Sequence, residues 1–157
     1  LFHDYFPEVA EHETRTITVL AHSPVRLPTG HYSFREMFCD ERDCDCRRVF
    51  FYVVSSHQED VQAVIAWGWE QQDFYAKWMG DSNPRVIADL KGPVLNLASP
   101  QSDLAPAILD LVGNVLLQDA AYVERVKRYY AMFRKKIDNK NPAVAQANNT
   151  RKKKREA

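Results

Sequence analysis

Residues 38–48 read FCDERDCDCRR, and this stretch separates two runs of strand-like sequence. It holds the three cysteines of the chain, which are Cys39, Cys44 and Cys46. The run before it, 31–38, alternates apolar and polar side chains, and the run after it, 49–54, is continuously apolar. The first pattern is typical of a strand with one buried face, and the second of a strand buried on both faces. The sequence therefore predicts a β-hairpin with three thiols at its tip.

The spacing of the thiols, Cys-x4-Cys-x-Cys, favours a metal site. Cys44 and Cys46 project together when the backbone bends between them, and the hairpin brings Cys39 to them. Three thiols cannot all form disulfides within one chain, and a bond between Cys44 and Cys46 would close a small, strained ring. The charged neighbours argue against a buried cluster of small side chains. Clustered thiols of this kind predict bound Zn²⁺ in a reducing compartment, the cytoplasm.

Three thiolates leave one position of a tetrahedral zinc ion for a fourth ligand. If the strand at 14–20 pairs antiparallel with the strand at 32–38, the segment before the first strand lies near Cys39. By the same argument three other histidines belong to the opposite end of the sheet: His22, His31 and His57. His12 is therefore the predicted fourth ligand. The alternatives are water and three nearby carboxylates, those of Glu11, Glu13 and Asp43.

The two arginines that follow the last cysteine carry a second expectation. Arg47 or Arg48 is expected to donate hydrogen bonds to the thiolates or to balance Asp43 and Asp45, because a zinc–thiolate site carries excess negative charge. The alternative interpretation is that both arginines are ordinary surface charges at the edge of the sheet.

Hydrophobic patterns along the rest of the chain predict an α+β fold. Residues 14–69 predict an antiparallel sheet of about four strands, and residues 85–97 predict one or two more. A short helix is expected at 73–78. Residues 1–13 are interrupted by a proline and predict an irregular lead-in.

Two amphipathic helices follow the sheet. The apolar stripe of the first consists of Leu104, Ile108, Leu111, Val112 and Val115. The stripe of the second consists of Tyr122, Val126, Tyr129, Tyr130, Phe133 and Ile137. Asp119 is expected to cap the second helix, and the short connection predicts an antiparallel pair on one face of the sheet. The whole of residues 1–138 is therefore expected to form one domain, with a sheet of four to five strands.

Charge is distributed unevenly along the chain, although its formal net charge is zero. Residues 134–157 contain nine Lys or Arg against two acidic residues, whereas the remainder contains 12 basic and 19 acidic residues. Residues 139–157 are therefore predicted to be a basic, disordered tail or linker. Apolar runs are all far shorter than the roughly 20 residues of a membrane-spanning helix, so no membrane association is expected.

Several motifs resemble a group of uncharacterised bacterial proteins, and the resemblance extends to about residue 137. They are Tyr32-x-Phe34-x-Glu36-x-Phe38-Cys39, Cys44-Asp45-Cys46-Arg47-Arg48-Val49, Trp67-Gly68-Trp69-Glu70, Pro100-Gln101-Ser102 and Tyr129-Tyr130-x-x-Phe133-Arg134. Members of that group often carry, after a basic linker, a cysteine-rich SEC-C zinc motif like that at the tail of the secretion ATPase. These 157 residues contain no part of it. The resemblance implies no settled activity, and it implies a histidine near position 129, where this chain has Tyr129.

Three classes of function fit these observations. The favoured one is a zinc-stabilised structural or interaction module, with an unidentified protein partner and no chemistry of its own. The second is a metal-dependent hydrolase or deaminase-like enzyme with Glu36 or Glu70 as its base. However, the His-x-Glu and Pro-Cys-x-x-Cys signature of zinc deaminases is absent from the sequence. The third is nucleic-acid or ribosome association through the basic run 151–155, which the acidic remainder of the chain opposes.

Overall fold

The computed structural model of the chain describes residues 1–139, which form one antiparallel sheet with helices on both of its faces. Sequence neighbours pair throughout the sheet, so the strand order is β1-β2-β3-β4-β5. The strands are β1 (Arg15–Val19), β2 (Gly30–Met37), β3 (Arg48–Ser55), β4 (Gln58–Gly68) and β5 (Val94–Leu95). The helices are α1 (Phe2–Tyr5), α2 (Pro7–Glu13), α3 (Gln72–Met79), α4 (Pro84–Lys91), α5 (Ala105–Asn114) and α6 (Ala120–Asp138). The predicted α+β class is confirmed.

One face of the sheet carries the main hydrophobic core. The register pairs Phe34 with Val53 and Phe51 with Ile65, so these four side chains point to the same face, and all are fully buried. They join a cluster with the buried residues of α5 and α6, which a single 3-10 turn connects. Burying one apolar face of a sheet under two amphipathic helices removes the largest apolar surfaces of the chain from water.

The two predicted helical stripes differ in how well they match this core. All six residues of the second stripe are buried. In the first stripe Ile108, Leu111 and Val112 are buried, but Val115 is 42% exposed, because α5 ends at Asn114 and Val115 lies beyond its last turn.

The predicted strand at 49–54 is also less buried than expected. Its residues alternate between buried and half-buried, so only one of its faces is fully covered.

Two segments fold as helices where the sequence patterns predicted otherwise. The segment 85–97 was predicted to be strand, but its first part is α4 and only two residues form β5. The Asn83 side chain accepts a hydrogen bond from the Arg85 amide at 3.0 Å, and Pro84 occupies the first turn, a combination that favours helix initiation. The lead-in is likewise helical, because Pro7 lies in the first turn of α2, where its missing N–H costs nothing.

Asp119 caps α6, as its sequence position predicted. Its side chain accepts a hydrogen bond from the Tyr122 amide at 3.2 Å and also contacts the Arg15 guanidinium at 3.3 Å. Asp119→Ala is expected to lower the free energy of unfolding by about 1 kcal/mol, measured by urea denaturation, because the cap is lost. Asp119→Asn retains the capping oxygen and should keep most of that stability. An equal loss in both variants would assign the effect to the ion pair with Arg15 instead.

Candidate metal centre

The three cysteines come together in the loop that joins β2 to β3, here called the knuckle loop (residues 38–47). Their sulfur atoms all lie within 4.8 Å of one another, and all three are free thiols. Tetrahedral zinc with Zn–S bonds of about 2.3 Å would hold its sulfurs about 3.8 Å apart, which a small adjustment of the loop provides. The predicted group of thiols at a hairpin tip is therefore confirmed, and these three residues can hold a metal ion.

A backbone amide two positions later in the chain lies near each sulfur and lowers the pKa of that thiol. The amides are those of Glu41 for Cys39, Cys46 for Cys44, and Arg48 for Cys46. Such donors stabilise thiolates and orient them, which is what a metal site requires of its surroundings. The sequence spacing alone did not indicate the positions of these amides, because they depend on the backbone bending after each cysteine.

Burial raises the pKa of all three thiols above the ordinary value for cysteine, and the backbone donors offset this only in part. Cys46 is 6% exposed, whereas Cys39 and Cys44 are half-buried, so solvent reaches the group from one side. Without metal the thiols are therefore protonated at neutral pH. A metal ion must displace these protons when it binds, and its affinity will rise with pH.

Tight turns give the knuckle loop its shape. Asp43 and Arg47 adopt left-handed backbone angles, with φ of 59° and 47°, and the Cys44 amide donates to the Glu41 carbonyl at 3.3 Å. A left-handed conformation costs a residue such as arginine about 1–2 kcal/mol, so surrounding contacts must hold it. Arg47 has such contacts: its guanidinium bonds Asp45 at 2.9 and 3.0 Å and Glu70 at 3.2 Å, and lies 4.5 Å from the ring of Phe74.

Of the roles predicted for the two arginines, charge balance is observed, whereas neither side chain donates a hydrogen bond to sulfur. Arg47 does balance Asp45, but its side chain is committed to carboxylates and not to sulfur. The Arg48 side chain donates to the Leu90 carbonyl at 2.7 Å and lies over the ring of Phe50. The backbone amide and the positive charge of Arg48 both lower the pKa of the Cys46 thiol.

Helix α6 supplies contacts to the knuckle loop that the sequence patterns did not predict. The Arg134 guanidinium donates to the carbonyl oxygens of Glu41 at 2.8 Å and Cys44 at 2.9 Å, and also to that of Cys39. Asp138 Oδ1 accepts from the Asp43 amide at 2.9 Å. The Tyr130 hydroxyl accepts from the Arg47 amide at 3.2 Å. The four-residue spacing of these helical residues places them on one face, but nothing local shows that a loop some 90 positions earlier lies against it.

The structure does not bring His12 to the thiols. His12 is exposed on α2, and among residues 1–139 no histidine or carboxylate shares the group of the three cysteines. The predicted pairing of β1 with β2 is correct, with Arg15 opposite Phe34, but the chain leaves the sheet at Thr14 and turns into α2. The geometry therefore brings together three residues that could hold a metal ion, and the assignment of His12 as the fourth ligand stays without structural support.

The carboxylates considered for other roles also have partners elsewhere. Glu13 accepts hydrogen bonds from Tyr129 and Arg128, so the position where the resemblance implies a histidine contacts α2. Glu36 is 6% exposed and accepts from the Tyr122 hydroxyl at 2.6 Å. Glu70 is paired with Arg47. Neither glutamate named for the enzyme hypothesis belongs to the thiol group in the part of the chain that the structure describes.

Comparison with models of protein families, with curated proteins and with solved structures found no match for this chain. Within residues 1–139, no helix combines the length and the apolar character needed to cross a membrane. The basic run 151–155 and the predicted tail beyond residue 139 lie outside the described residues.

Proposed function

We propose that the protein is a zinc-binding domain in which a three-thiolate centre fixes the β2–β3 end of the sheet. The observation that carries this is the meeting of three sulfur atoms within 4.8 Å of one another. Zinc is favoured because soft thiolates in a tetrahedral arrangement suit it better than Mg²⁺ or Ca²⁺, which prefer oxygen. Reduced, metal-ligating thiols belong to a reducing compartment such as the cytoplasm.

We infer a structural or interaction role for this centre rather than catalysis. A metal-dependent hydrolase needs a base beside the metal-bound water. The two glutamates considered for that role are already engaged, Glu36 with a buried tyrosine and Glu70 with Arg47. The knuckle loop, by contrast, is hydrogen-bonded to side chains of α6 and α3, an arrangement that suits a structural metal. The fourth ligand in this proposal is water or a group that the described residues do not supply.

Elemental analysis of the purified protein tests the metal, and cobalt substitution tests its ligands. One equivalent of zinc per chain is expected, together with the intense thiolate-to-cobalt absorption that a set of cysteine ligands produces. Cys46→Ser should abolish both signals, since a buried ligand is lost. His12→Ala should leave both unchanged, because His12 lies outside the thiol group. A protein without metal and without thiolate–cobalt absorption would overturn the proposal.

A further inference from the structure

Three residues of the last turns of α6 hold the backbone of the knuckle loop. Tyr130, Arg134 and Asp138 are spaced by four and therefore lie on one face of the helix. Together they bond backbone groups of five loop residues, which are Cys39, Glu41, Asp43, Cys44 and Arg47. Two of those residues are the metal ligands Cys39 and Cys44. This face of α6 is therefore built against the candidate metal centre.

Arg134 makes the most contacts of the three. Its side chain is only 11% exposed, and its guanidinium lies 5.8 Å from the ring centres of both Tyr130 and Phe133. Its two terminal nitrogens reach three loop carbonyls at once. The planar, forked guanidinium suits this task, whereas the single ammonium group of a lysine presents one point of contact.

These bonds fix groups that determine where the sulfurs lie. The carbonyls that Arg134 holds include those of Cys39 and Cys44 themselves, so the bonds limit how the backbone at these two cysteines can rotate. Three thiolates around Zn²⁺ carry one net negative charge, and the guanidinium supplies a neighbouring positive charge. Its nearest acid, Asp138, is 3.8 Å away and is itself bonded to the Asp43 amide.

We propose that Arg134 is a positioning residue of the metal centre, and that metal binding and the docking of the last turn of α6 are coupled. This inference rests on the proposed zinc-binding function. Coupling between two events is reciprocal: if the docked helix strengthens metal binding, the bound metal strengthens the docking by the same factor. The end of α6 is thus held in place more firmly in the zinc-loaded protein than in the metal-free protein.

The first experiment compares Arg134→Met with Arg128→Met. Arg128 lies on the same helix but is 57% exposed and pairs with Glu13, so it serves as a matched control. Zinc affinity is measured on the full chain by competition with a chromogenic chelator, and the cobalt complex is recorded by absorption. Arg134→Met is expected to weaken zinc binding 10- to 100-fold and to alter the ligand-field bands of cobalt, as losses around metal ligands commonly do. Arg128→Met is expected to match the wild type.

The second experiment measures hydrogen exchange at the amides of residues 134–138 with and without zinc. Zinc should slow exchange there in the wild type and leave it unaffected in Cys46→Ser. If Arg134→Met does not fold, Tyr130→Phe replaces it in the first experiment. That variant removes the hydroxyl that bonds the Arg47 amide and the Cys44 carbonyl, and a several-fold loss of affinity is expected.

The outcomes separate this inference from the function on which it rests. A wild-type chain that binds neither zinc nor cobalt defeats the proposed function itself. A wild type that binds both, together with unchanged affinity and spectrum in Arg134→Met, defeats the positioning role alone. A purely structural arginine would lower stability without moving the cobalt bands, and that result would also count against the inference.

Discussion

Removing zinc with a chelator is expected to lower the melting temperature of the protein by roughly 10 °C. A ligand present at a thousand times its dissociation constant stabilises the folded state by about 4 kcal/mol. For a chain of this size each kcal/mol corresponds to about 2–4 °C. The protein should nevertheless stay folded, because the core between the sheet and α5 and α6 contains its own large set of buried side chains. The measurement is thermal unfolding by circular dichroism with excess zinc and with chelator.

The pH dependence of this stabilisation follows from the thiols. Burial raises the pKa of Cys39, Cys44 and Cys46, so zinc must displace their protons at neutral pH. The gap between the two melting temperatures should therefore widen as pH rises from 6 to 8. Cys46→Ser serves as the control and should melt at one temperature with or without zinc. Equal melting temperatures for the zinc-loaded and chelated wild type would contradict a structural metal.

The group of three cysteines could be predicted from the sequence because its evidence is local. Cys39, Cys44 and Cys46 lie within eight positions, and the strands on either side fix the loop as a hairpin tip. The second helical stripe was equally predictable, because its six side chains recur at helical spacing and therefore share one face of α6, the buried face. Short-range periodicity therefore determined most of the sheet, the helix pair and the three thiols.

The rest of the candidate site depends on long-range packing, which periodicity does not encode. Strand pairing correctly placed the start of β1 beside the end of β2. It could not show that His12 lies on a helix, α2, where it is exposed and away from the thiols. The contacts of Arg134 with the knuckle loop join residues about 90 positions apart. They arise only when α6 docks on the sheet. An arginine beside an apolar stripe looks, in sequence, like any solvated helix residue.

Glu36 shows the same difficulty in the core. Its strand alternates, with Tyr32 and Phe34 on the buried face, and Glu36 continues that face. The alternation indicates its direction, but it does not reveal the partner that makes a buried carboxyl tolerable. That partner is Tyr122, 86 positions later, whose hydroxyl donates to Glu36 at 2.6 Å. Buried polar groups of this kind are retained when each is hydrogen-bonded.

Replacing Glu36 by glutamine is expected to change the free energy of unfolding more favourably at neutral pH than at pH 4. The difference between the two effects should be about 1–3 kcal/mol. Burial raises the pKa of the Glu36 carboxyl, although the Tyr122 hydroxyl lowers it in part. The folded state therefore holds the proton more tightly than the unfolded state, in which the pKa is about 4.5. The contribution of Glu36 to stability is fully present below pH 4.5 and is lost as pH rises through the higher pKa of the folded state.

Glutamine does not titrate, and its side-chain oxygen can still accept the Tyr122 hydroxyl, so Glu36→Gln should escape this loss. The free energy of unfolding is measured by urea denaturation from pH 4 to pH 8 for both proteins. The difference in unfolding free energy between the two proteins should grow with pH. A constant cost of placing an amide in the core would shift this difference equally at every pH, so it does not affect the test. Glu124→Gln, at an exposed position of α6, controls for the loss of one carboxylate from the net charge. Parallel curves for the wild type and Glu36→Gln would show that burial of this carboxyl costs the folded state nothing.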